Sequence, residues 1–355
     1  MNKIQTSRNL MSEYFSRYRF CRRFGVKYPI VQAGMAFASM THALPVAVTN
    51  AGGIGTIANV GFLPPGIIEN VWTTARSQSS GPLSVNLITY HVQPEIIDTL
   101  ARIRPLSVSF HWGRPERAWV EKLHDAGVDV WEQVGSVSEA ARAVEDGIDL
   151  IIVQGSEAGG HNYGESSLLT LLPAVRDKIG GDPLVLASGG ISDGRGMAAA
   201  LIMGADGVWV GTRYVASSES EAHPEWKQRL LGATAQDTCR THVFGRQDAP
   251  FNPIRVLRNR VVGEWDARIA DIPVDNGNES LVGTMEIFGQ RVDLRRFQNM
   301  APMNTTVGDF EELPLLCGEG VELIRDIPTA AEITCRMAAE AATALQRNHP
   351  GYGHE

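Results

Sequence analysis

The sequence is poor in cysteine, in long apolar runs and in positive charge. Its four cysteines show no C-x-x-C spacing, so a disulfide framework and a zinc site are unsupported and a reducing compartment is expected. No apolar run approaches the ~18–20 residues of a membrane span, and the charged N-terminus lacks the apolar core of a secretory signal. We therefore expect a cytoplasmic protein with no membrane and no metal.

The charge balance argues against nucleic-acid binding. With 32 Lys and Arg against 40 Asp and Glu, the formal net charge is −8, and such a chain binds polyanions poorly. Residues 1–28 are nevertheless basic, and a helix pattern covers Leu10–Phe24. This extension is interpreted as a solvated helix against an acidic body, or alternatively as a helix for a membrane surface or partner. Its basic residues are Lys3, Arg8, Arg17, Arg19, Arg22, Arg23 and Lys27.

Eight short apolar segments alternate with helix patterns from Pro29 to about Ser217. They are rich in β-branched residues and apolar throughout, which is typical of buried parallel strands. Glycine follows the helix patterns before Val128, Ile148 and Ala205, as a C-terminal stop would. The strand candidates are Ile30–Ala33, Ile54–Ala58, Leu83–Leu87, Leu106–Phe110, Val128–Glu132, Leu150–Val153, Leu184–Ala187 and Gly207–Val210.

This alternation predicts an α/β fold, a (β/α)8 TIM barrel, with a smaller helical lid domain inserted towards the C-terminus. A doubly wound sheet is the rival, but it would use fewer strands. The predicted boundaries are a basic N-terminal helical extension at 1–28, the barrel at 29–221, the lid at 222–305, and a C-terminal segment at 306–355. A helix pattern over Arg255–Ile269 belongs to the lid, and a final helix over Thr329–Gln346 packs back on the barrel.

Glycine is the residue in excess, at 36 of 355 against a usual ~7%. Much of the excess falls where predicted strands end, which is where barrel active sites lie. Ser188-Gly189-Gly190 follows the seventh predicted strand and Gly211-Thr212 the eighth. Backbone N–H groups at such loops, with helix N-termini, favour an anion, so the sequence predicts a phosphate site here. A tight turn with Asp193 as a helix cap is the simpler alternative.

The loop after the sixth predicted strand carries a candidate base. Its sequence is Glu157-Ala-Gly-Gly160-His161. Histidine side chains titrate near neutral pH and serve as general bases, although a lone loop histidine is more often a surface residue. Among the other histidines, only His111 also stands at the end of a predicted strand.

Amide side chains end three further strands. Asn86, Gln133 and Gln154 each follow an apolar run, and buried amides need hydrogen-bond partners. A flat heterocycle with carbonyl and N–H edges would supply them, and so would the neighbouring backbone. Met35, at the end of the first strand, either belongs to the hydrophobic core or packs against the face of a bound ring.

At these positions the chain resembles the nitronate monooxygenase family, formerly called 2-nitropropane dioxygenases, over roughly residues 20–345. The resemblance is carried by motifs throughout the barrel and by one in the lid. They are Pro29-Ile-Val-Gln-Ala-Gly-Met35, Ala51-Gly-Gly-Ile-Gly55, Val85-Asn-Leu87, Gln154-Gly-Ser-Glu-Ala-Gly-Gly-His161, Ala187-Ser-Gly-Gly-Ile-Ser-Asp-Gly-Arg-Gly196, Gly204-Ala-Asp-Gly207, Gly211-Thr-Arg213 and Arg255-Val-Leu-Arg-Asn259.

The resemblance implies a flavoenzyme that holds FMN across the barrel mouth. His161 would be the catalytic base that removes a C–H proton from a neutral nitroalkane, and the nitronate would be oxidised with O₂ to a carbonyl compound and nitrite. The oligomer would be a monomer or homodimer. The implied phosphate contacts are Gly189, Gly190, Gly211 and Thr212, the implied ring contacts are Gly34, Met35, Asn86, Gln133 and Gln154, and Gly160 and Ser188 complete the cofactor-binding set.

Two alternatives stay open. Strand 1 ends in Ala33-Gly34-Met35, where many members of the family have Ala-Pro-Met and the related FMN- and NAD(P)H-dependent enoyl-[acyl carrier protein] reductase has Gly-Gly-Met. That reductase is the first alternative, and a non-catalytic flavin-binding barrel is the second. Chemistry like that of IMP dehydrogenase is excluded because it needs a cysteine on a barrel loop, and all four cysteines lie outside Pro29–Ser217.

Overall fold

Eight parallel strands form the centre of the computed structural model, which describes residues 13–347 except 60, 62, 246–248, 251 and 274–276. The strands are β1 (Ile30–Gln32), β2 (Gly55–Asn59), β3 (Leu83–Ile88), β4 (Ser107–His111), β5 (Asp129–Val134), β6 (Leu150–Gln154), β8 (Leu184–Ser188) and β9 (Gly207–Val210), while β7 (Gly160–His161) lies outside the barrel. Each barrel strand hydrogen-bonds its neighbour in the order β1-β9-β8-β6-β5-β4-β3-β2. A bridge between Val31 and Ile54 joins the two ends.

The TIM-barrel prediction is thereby confirmed. The eight predicted strands all occur, with ends displaced by at most two residues. The runs were recognisable because parallel strands covered by helices are buried on both faces and need no polar alternation. Gly127, Gly147 and Gly204 have the left-handed φ angles, +75°, +82° and +100°, that end a helix.

Helices cover the outside of the barrel. The last of them, Ala330–Arg347, packs against the helices at 43–51 and 194–202, as the sequence predicts for the C-terminal helix. Within the described residues no helix has the length and apolarity to cross a membrane. The helices of the chain, including α10 and α11 beyond the barrel, are α1 (Arg19–Phe24), α2 (Ala43–Ala51), α3 (Pro65–Gln78), α4 (Pro94–Ile103), α5 (Arg117–Asp125), α6 (Val137–Glu145), α7 (Leu168–Ile179), α8 (Gly194–Ile202), α9 (Thr212–Val215), α10 (Pro224–Gly232), α11 (Arg260–Trp265) and α12 (Ala330–Arg347).

The described part of the basic extension closes the amino-terminal end of the barrel. Phe20 is fully buried, and Phe24 packs on Trp131 with ring centroids 5.5 Å apart. Arg23 donates to Asp129, the first residue of β5, at 2.8 Å. Basic residues of the extension thus pair with acidic residues at strand starts, as the first interpretation expects. The predicted helix over Leu10–Phe24 is wrong in extent, because among the described residues it is interrupted at 16–18. Residues 1–12 lie outside the described part of the chain.

Two small sheets lie outside the barrel, and with the helices α10 and α11 they are called the lid here. Their strands are β7 together with β10 (Thr238–Thr241), β11 (Ile254–Leu257), β12 (Leu281–Ile287), β13 (Gln290–Arg295) and β14 (Val307–Gly308). The first sheet has the order β10-β11-β7 and the second β13-β12-β14, so β7 and β14 come from outside residues 222–305.

The prediction of a helix from Arg255 is wrong for its start, because Ile254–Leu257 is a strand and helix α11 begins only after Asn259. A four-residue apolar run fits either structure, and here pairing with β7 decides it.

Candidate active site

A cavity of about 770 Å³ lies over the carboxyl ends of the barrel strands, beneath the lid. Parallel strands bring their exit residues to one rim, which is why residues distant in sequence meet here. Every predicted site residue except Asn86 lines the cavity. The lining set comprises Gly34, Met35, Gln133, Gln154, Gly160, His161, Ser188, Gly189, Gly190, Gly211 and Thr212.

The glycine loop after β8 lines the cavity with backbone. Gly189 and Gly190 have left-handed φ angles of +109° and +69°. The N-terminus of α8 is already engaged, because the Asp193 carboxylate accepts from Arg195 N and Gly196 N, at 2.9 and 3.1 Å. An anion here would therefore rely on the loop backbone and not on that helix end.

The C-terminal segment completes the same part of the cavity, which the sequence did not predict. Thr212 Oγ1 accepts from Gly318 N at 3.0 Å. A Cβ at Gly320 would collide with Ser192 Oγ and with Gly190 O. Gly318 and Gly320 were recognisable only as another glycine pair, far along the chain from the predicted phosphate loops.

The three strand-end amides have different partners. Asn86 Nδ2 donates to the backbone at 3.2 and 3.3 Å, and Gln154 Nε2 donates to the carbonyl oxygen of His161 at 3.2 Å. Gln133 and His111, by contrast, interact with each other, and the buried atoms Gln133 Nε2 and His111 Nε2 have no further hydrogen-bond partner among the described residues. Both residues line the cavity. A planar heterocycle with carbonyl and N–H edges supplies what they lack, so the residues present fit a flavin ring.

Asn86 lies behind Gly34 and does not line the cavity. A Cβ at Gly34 would overlap the Asn86 side chain, so glycine at the end of β1 leaves room for this amide. The two residues therefore pack directly against each other.

Gly34→Ala is expected to lower the free energy of unfolding by about 1–3 kcal/mol, because overpacking forces neighbours out of place. Chemical denaturation would measure it. Gly66→Ala is the matched control, since a Cβ there meets nothing within 4 Å. Recovery of stability in Gly34→Ala/Asn86→Gly supports the packing, and equal stability of Gly34→Ala and the wild type contradicts it.

His161 is held at the cavity wall by the lid. Its strand β7 pairs with β11, with His161 opposite Ile254, and the side chain is 7% exposed. The His161 ring packs edge-on against Trp112, with centroids 4.5 Å apart. Asn299 Nδ2 hydrogen-bonds His161 Nε2. Two residues that the sequence did not indicate, Trp112 and Asn299, thus fix the predicted base from either side.

The lid motif around Arg255 ties these elements together. Arg255 Nη2 donates to Ser156 O at 2.9 Å and pairs with Glu319 at 3.0 Å, while Nη1 donates to Thr238 Oγ1 at 3.1 Å. One buried guanidinium therefore joins the histidine loop, the lid and the C-terminal segment.

His111 lines the cavity together with His91 and His161, and it is neutral. Burial lowers the pKa of its imidazole from about 6.5 to about 3, although nearby Gln133 acts in the opposite direction. Trp209 packs beside it, with ring centroids 5.4 Å apart. His111 therefore contributes a neutral hydrogen-bonding group to the site at physiological pH.

The buried His111 predicts a pH dependence of stability. The unfolded chain binds the proton below its ordinary pKa, while the folded protein stays neutral down to about pH 3. The contribution of this group is therefore complete above pH 6.5 and falls by ~1.4 kcal/mol for each pH unit below it. Between pH 7 and pH 5, the free energy of unfolding of His111→Gln should fall by about 2 kcal/mol less than that of the wild type, as chemical denaturation at the two pH values would show. Equal falls in the free energy of unfolding for the variant and the wild type would contradict a neutral, buried His111.

The comparisons with known proteins agree with this geometry. Residues 88–340 match the family model described as "Nitronate monooxygenase". The chain belongs to the nitronate monooxygenase family. A probable nitronate monooxygenase of Staphylococcus saprophyticus is 31% identical over 71% of the chain and 82% of its own length. The nitronate monooxygenase of Pseudomonas aeruginosa is 31% identical over 72% and 83%.

A solved structure of the same fold supports the architecture. FabK from Thermotoga maritima superposes with a TM-score of 0.74 at 28% identity, over 93% of this chain and 98% of that one. Nitronate monooxygenases are flavin-dependent oxidoreductases, so this chain is an enzyme of a flavin-dependent family. The family expected from the sequence motifs is confirmed.

Proposed function

We propose that the chain is an FMN-dependent nitronate monooxygenase that also accepts neutral nitroalkanes, with His161 as the base. The observation that carries the proposal is the placement of the His161 imidazole at the wall of the cavity that the glycine loops line. The backbone at Gly189, Gly190, Gly211 and Thr212 would hold the phosphate. Gln133 and His111 would hydrogen-bond the ring edges, with Met35 against its face.

The proton step uses groups of the chain alone. The Asn299 amide engages His161 Nε2 in the structure, so the substrate has to take the place of that amide. The C–H proton of a neutral nitroalkane then passes to His161 Nε2, and the electron pair of the C–H bond moves onto the nitro group, which gives the nitronate. When bound, FMN supplies the redox chemistry, the passage of electrons from the nitronate to O₂ that yields a carbonyl compound and nitrite. A nitronate that enters already ionised does not need the base.

Asn299 holds His161 in position for this step. In the wild type its amide occupies the Nε2 direction, and removal of the amide leaves a ring that can rotate away. Asn299→Ala is expected to lower kcat/KM for neutral nitroalkanes about tenfold and to change that for preformed nitronates less than twofold, on the scale of a lost orienting hydrogen bond. Parallel assays of the two substrate forms measure it. Rescue by Asn299→Gln supports positioning, and equal losses on both forms contradict it.

Oxygen uptake and nitrite release test the function directly. The purified protein, loaded with FMN, should consume O₂ and release nitrite with the nitronate of nitroethane, and NADPH should not be required. Substantial NADPH oxidation with an enoyl thioester, and no O₂ uptake with any nitronate, would instead identify the enoyl reductase. A protein that cannot be loaded with FMN would contradict both.

A further inference from the structure

The lid side of the cavity differs in chemistry from the glycine loops. It carries a group of aromatic and aliphatic side chains beside a few polar ones, and the lid and the C-terminal segment provide most of that apolar group. A cavity of about 770 Å³ lies in the upper part of the ~300–1,000 Å³ range of single ligand sites, so the space accommodates more than a small nitroalkane beside a flavin. The apolar group comprises Phe37, Trp112, Ile272, Phe297, Met300 and Leu316.

Three of these aromatic residues have a backbone that bulky side chains rarely adopt. Phe37, Trp112 and Phe297 have φ angles of +66°, +59° and +68°. Such conformations persist only where the surroundings impose them, and they concentrate at ligand sites. The surroundings are visible at Phe297, whose ring packs edge-on against Trp265 at 5.0 Å and whose carbonyl accepts from Gly245 N at 2.7 Å.

The charges of the cavity disfavour an acidic substrate. Arg296 is the one Lys or Arg among the described lining residues. It is engaged by Glu312, a carboxylate only 2% exposed, at 2.6 Å. Glu279 also lines the cavity. A carboxylate on the substrate would meet Glu279 and would have to compete with Glu312 for Arg296, which costs free energy in a buried site.

We infer that the site selects nitronates with a bulky, uncharged apolar body, aromatic bodies above all, over short nitronates and over those that bear a carboxylate. The inference rests on the proposed function. Apolar and aromatic walls favour such a body because they bury its surface and offer ring edges. Substrates with a carboxylate are disfavoured because the described lining residues include no Lys or Arg that is not already paired with a carboxylate.

A matched nitronate series tests the selectivity. The FMN-loaded protein should show at least tenfold higher kcat/KM for the nitronate of (2-nitroethyl)benzene than for that of nitroethane. It should also prefer the nitronate of 1-nitro-3-methylbutane at least tenfold over that of 3-nitropropionate, which has nearly the same shape but carries a charge. Equal values, or a preference for the short or acidic substrate, would overturn the inference.

A binding measurement separates this inference from the proposed function. Titration calorimetry of the FMN-loaded protein should show tighter binding of phenylacetamide than of acetamide or phenylacetate, none of which reacts. If the protein shows this binding preference but does not oxidise nitronates, the proposed function is refuted and the selectivity for bulky uncharged ligands is supported. If it oxidises nitronates but shows no such binding preference, the proposed function is supported and the selectivity is refuted.

Phe37→Ala and Phe288→Ala form a matched pair for the same titration. Both residues have a left-handed backbone, but Phe288, at φ +47°, is on the lid hairpin, 36% exposed and not part of the cavity lining. We expect Phe37→Ala to weaken phenylacetamide binding about tenfold and Phe288→Ala to leave it unchanged. Equal effects of the two variants would overturn the role of the aromatic wall.

Discussion

His161→Asn is expected to lower kcat/KM for neutral nitroalkanes by about 10²–10⁴-fold, the usual contribution of a positioned general base. For preformed nitronates the loss should stay below tenfold, because no C–H proton has to be removed. Oxygen uptake with the two forms of one nitroalkane gives both values. Asparagine preserves a hydrogen-bonding group in the space between Trp112 and Asn299, so the cavity keeps its polar contacts.

The flavin content controls for indirect effects of this variant. His161 contacts the lid strand and Asn299, so a misplaced lid could lower activity without any loss of a base. Equal FMN content in wild type and variant removes that explanation. Equal losses on nitroalkane and nitronate, at equal FMN content, would contradict the assignment of His161 as the carbon-acid base.

Gly190→Asp is expected to raise the Kd for FMN by about 10²–10³-fold relative to Gly190→Asn, since a like charge beside a buried anion costs several kcal/mol. Position 190 has room for either side chain of this comparison. Gly190 has φ +69°, and its Cβ would meet only Glu157 atoms at 3.5 Å or more. Asparagine and aspartate both tolerate the left-handed region, so the two variants differ mainly in one charge.

Riboflavin provides the control for the phosphate site. It has the same ring without the phosphate, so Gly190→Asp and Gly190→Asn should bind it equally, as quenching of flavin fluorescence would show. A selective loss of FMN places the phosphate at the glycine loop. Equal Kd values of the two variants for FMN would mean that the phosphate lies elsewhere.

The barrel was predictable from the sequence because its signals are local. Runs such as Leu150–Val153 are short, apolar and β-branched, and each becomes a strand whose ends lie within two residues of the predicted ones. The rim residues followed from the topology, since all barrel strands end on one side. Once the strands were placed, His161 and Gly190 could be assigned to a single site.

The remaining parts of the site depend on contacts between segments far apart in the chain. Asn299 follows a lid hairpin and reaches His161 from 138 residues away, and nothing in its neighbourhood marks it. Gly318 meets Thr212 across 106 residues. Asn86 is a buried amide at a strand end, as the sequence indicated, but that local signal could not show that the carbonyl groups of Leu87 and Ser109 accept from it.

The central claim is that electrons enter this site from a nitronate. Anaerobic mixing of the FMN-loaded protein with excess alkyl nitronate, followed at the absorbance of the oxidised flavin, tests it most directly. Our account predicts rapid bleaching by the nitronate, little bleaching by NADH or NADPH, and recovery of the yellow colour when O₂ is admitted. Bleaching by NADPH together with no response to any nitronate would contradict the account.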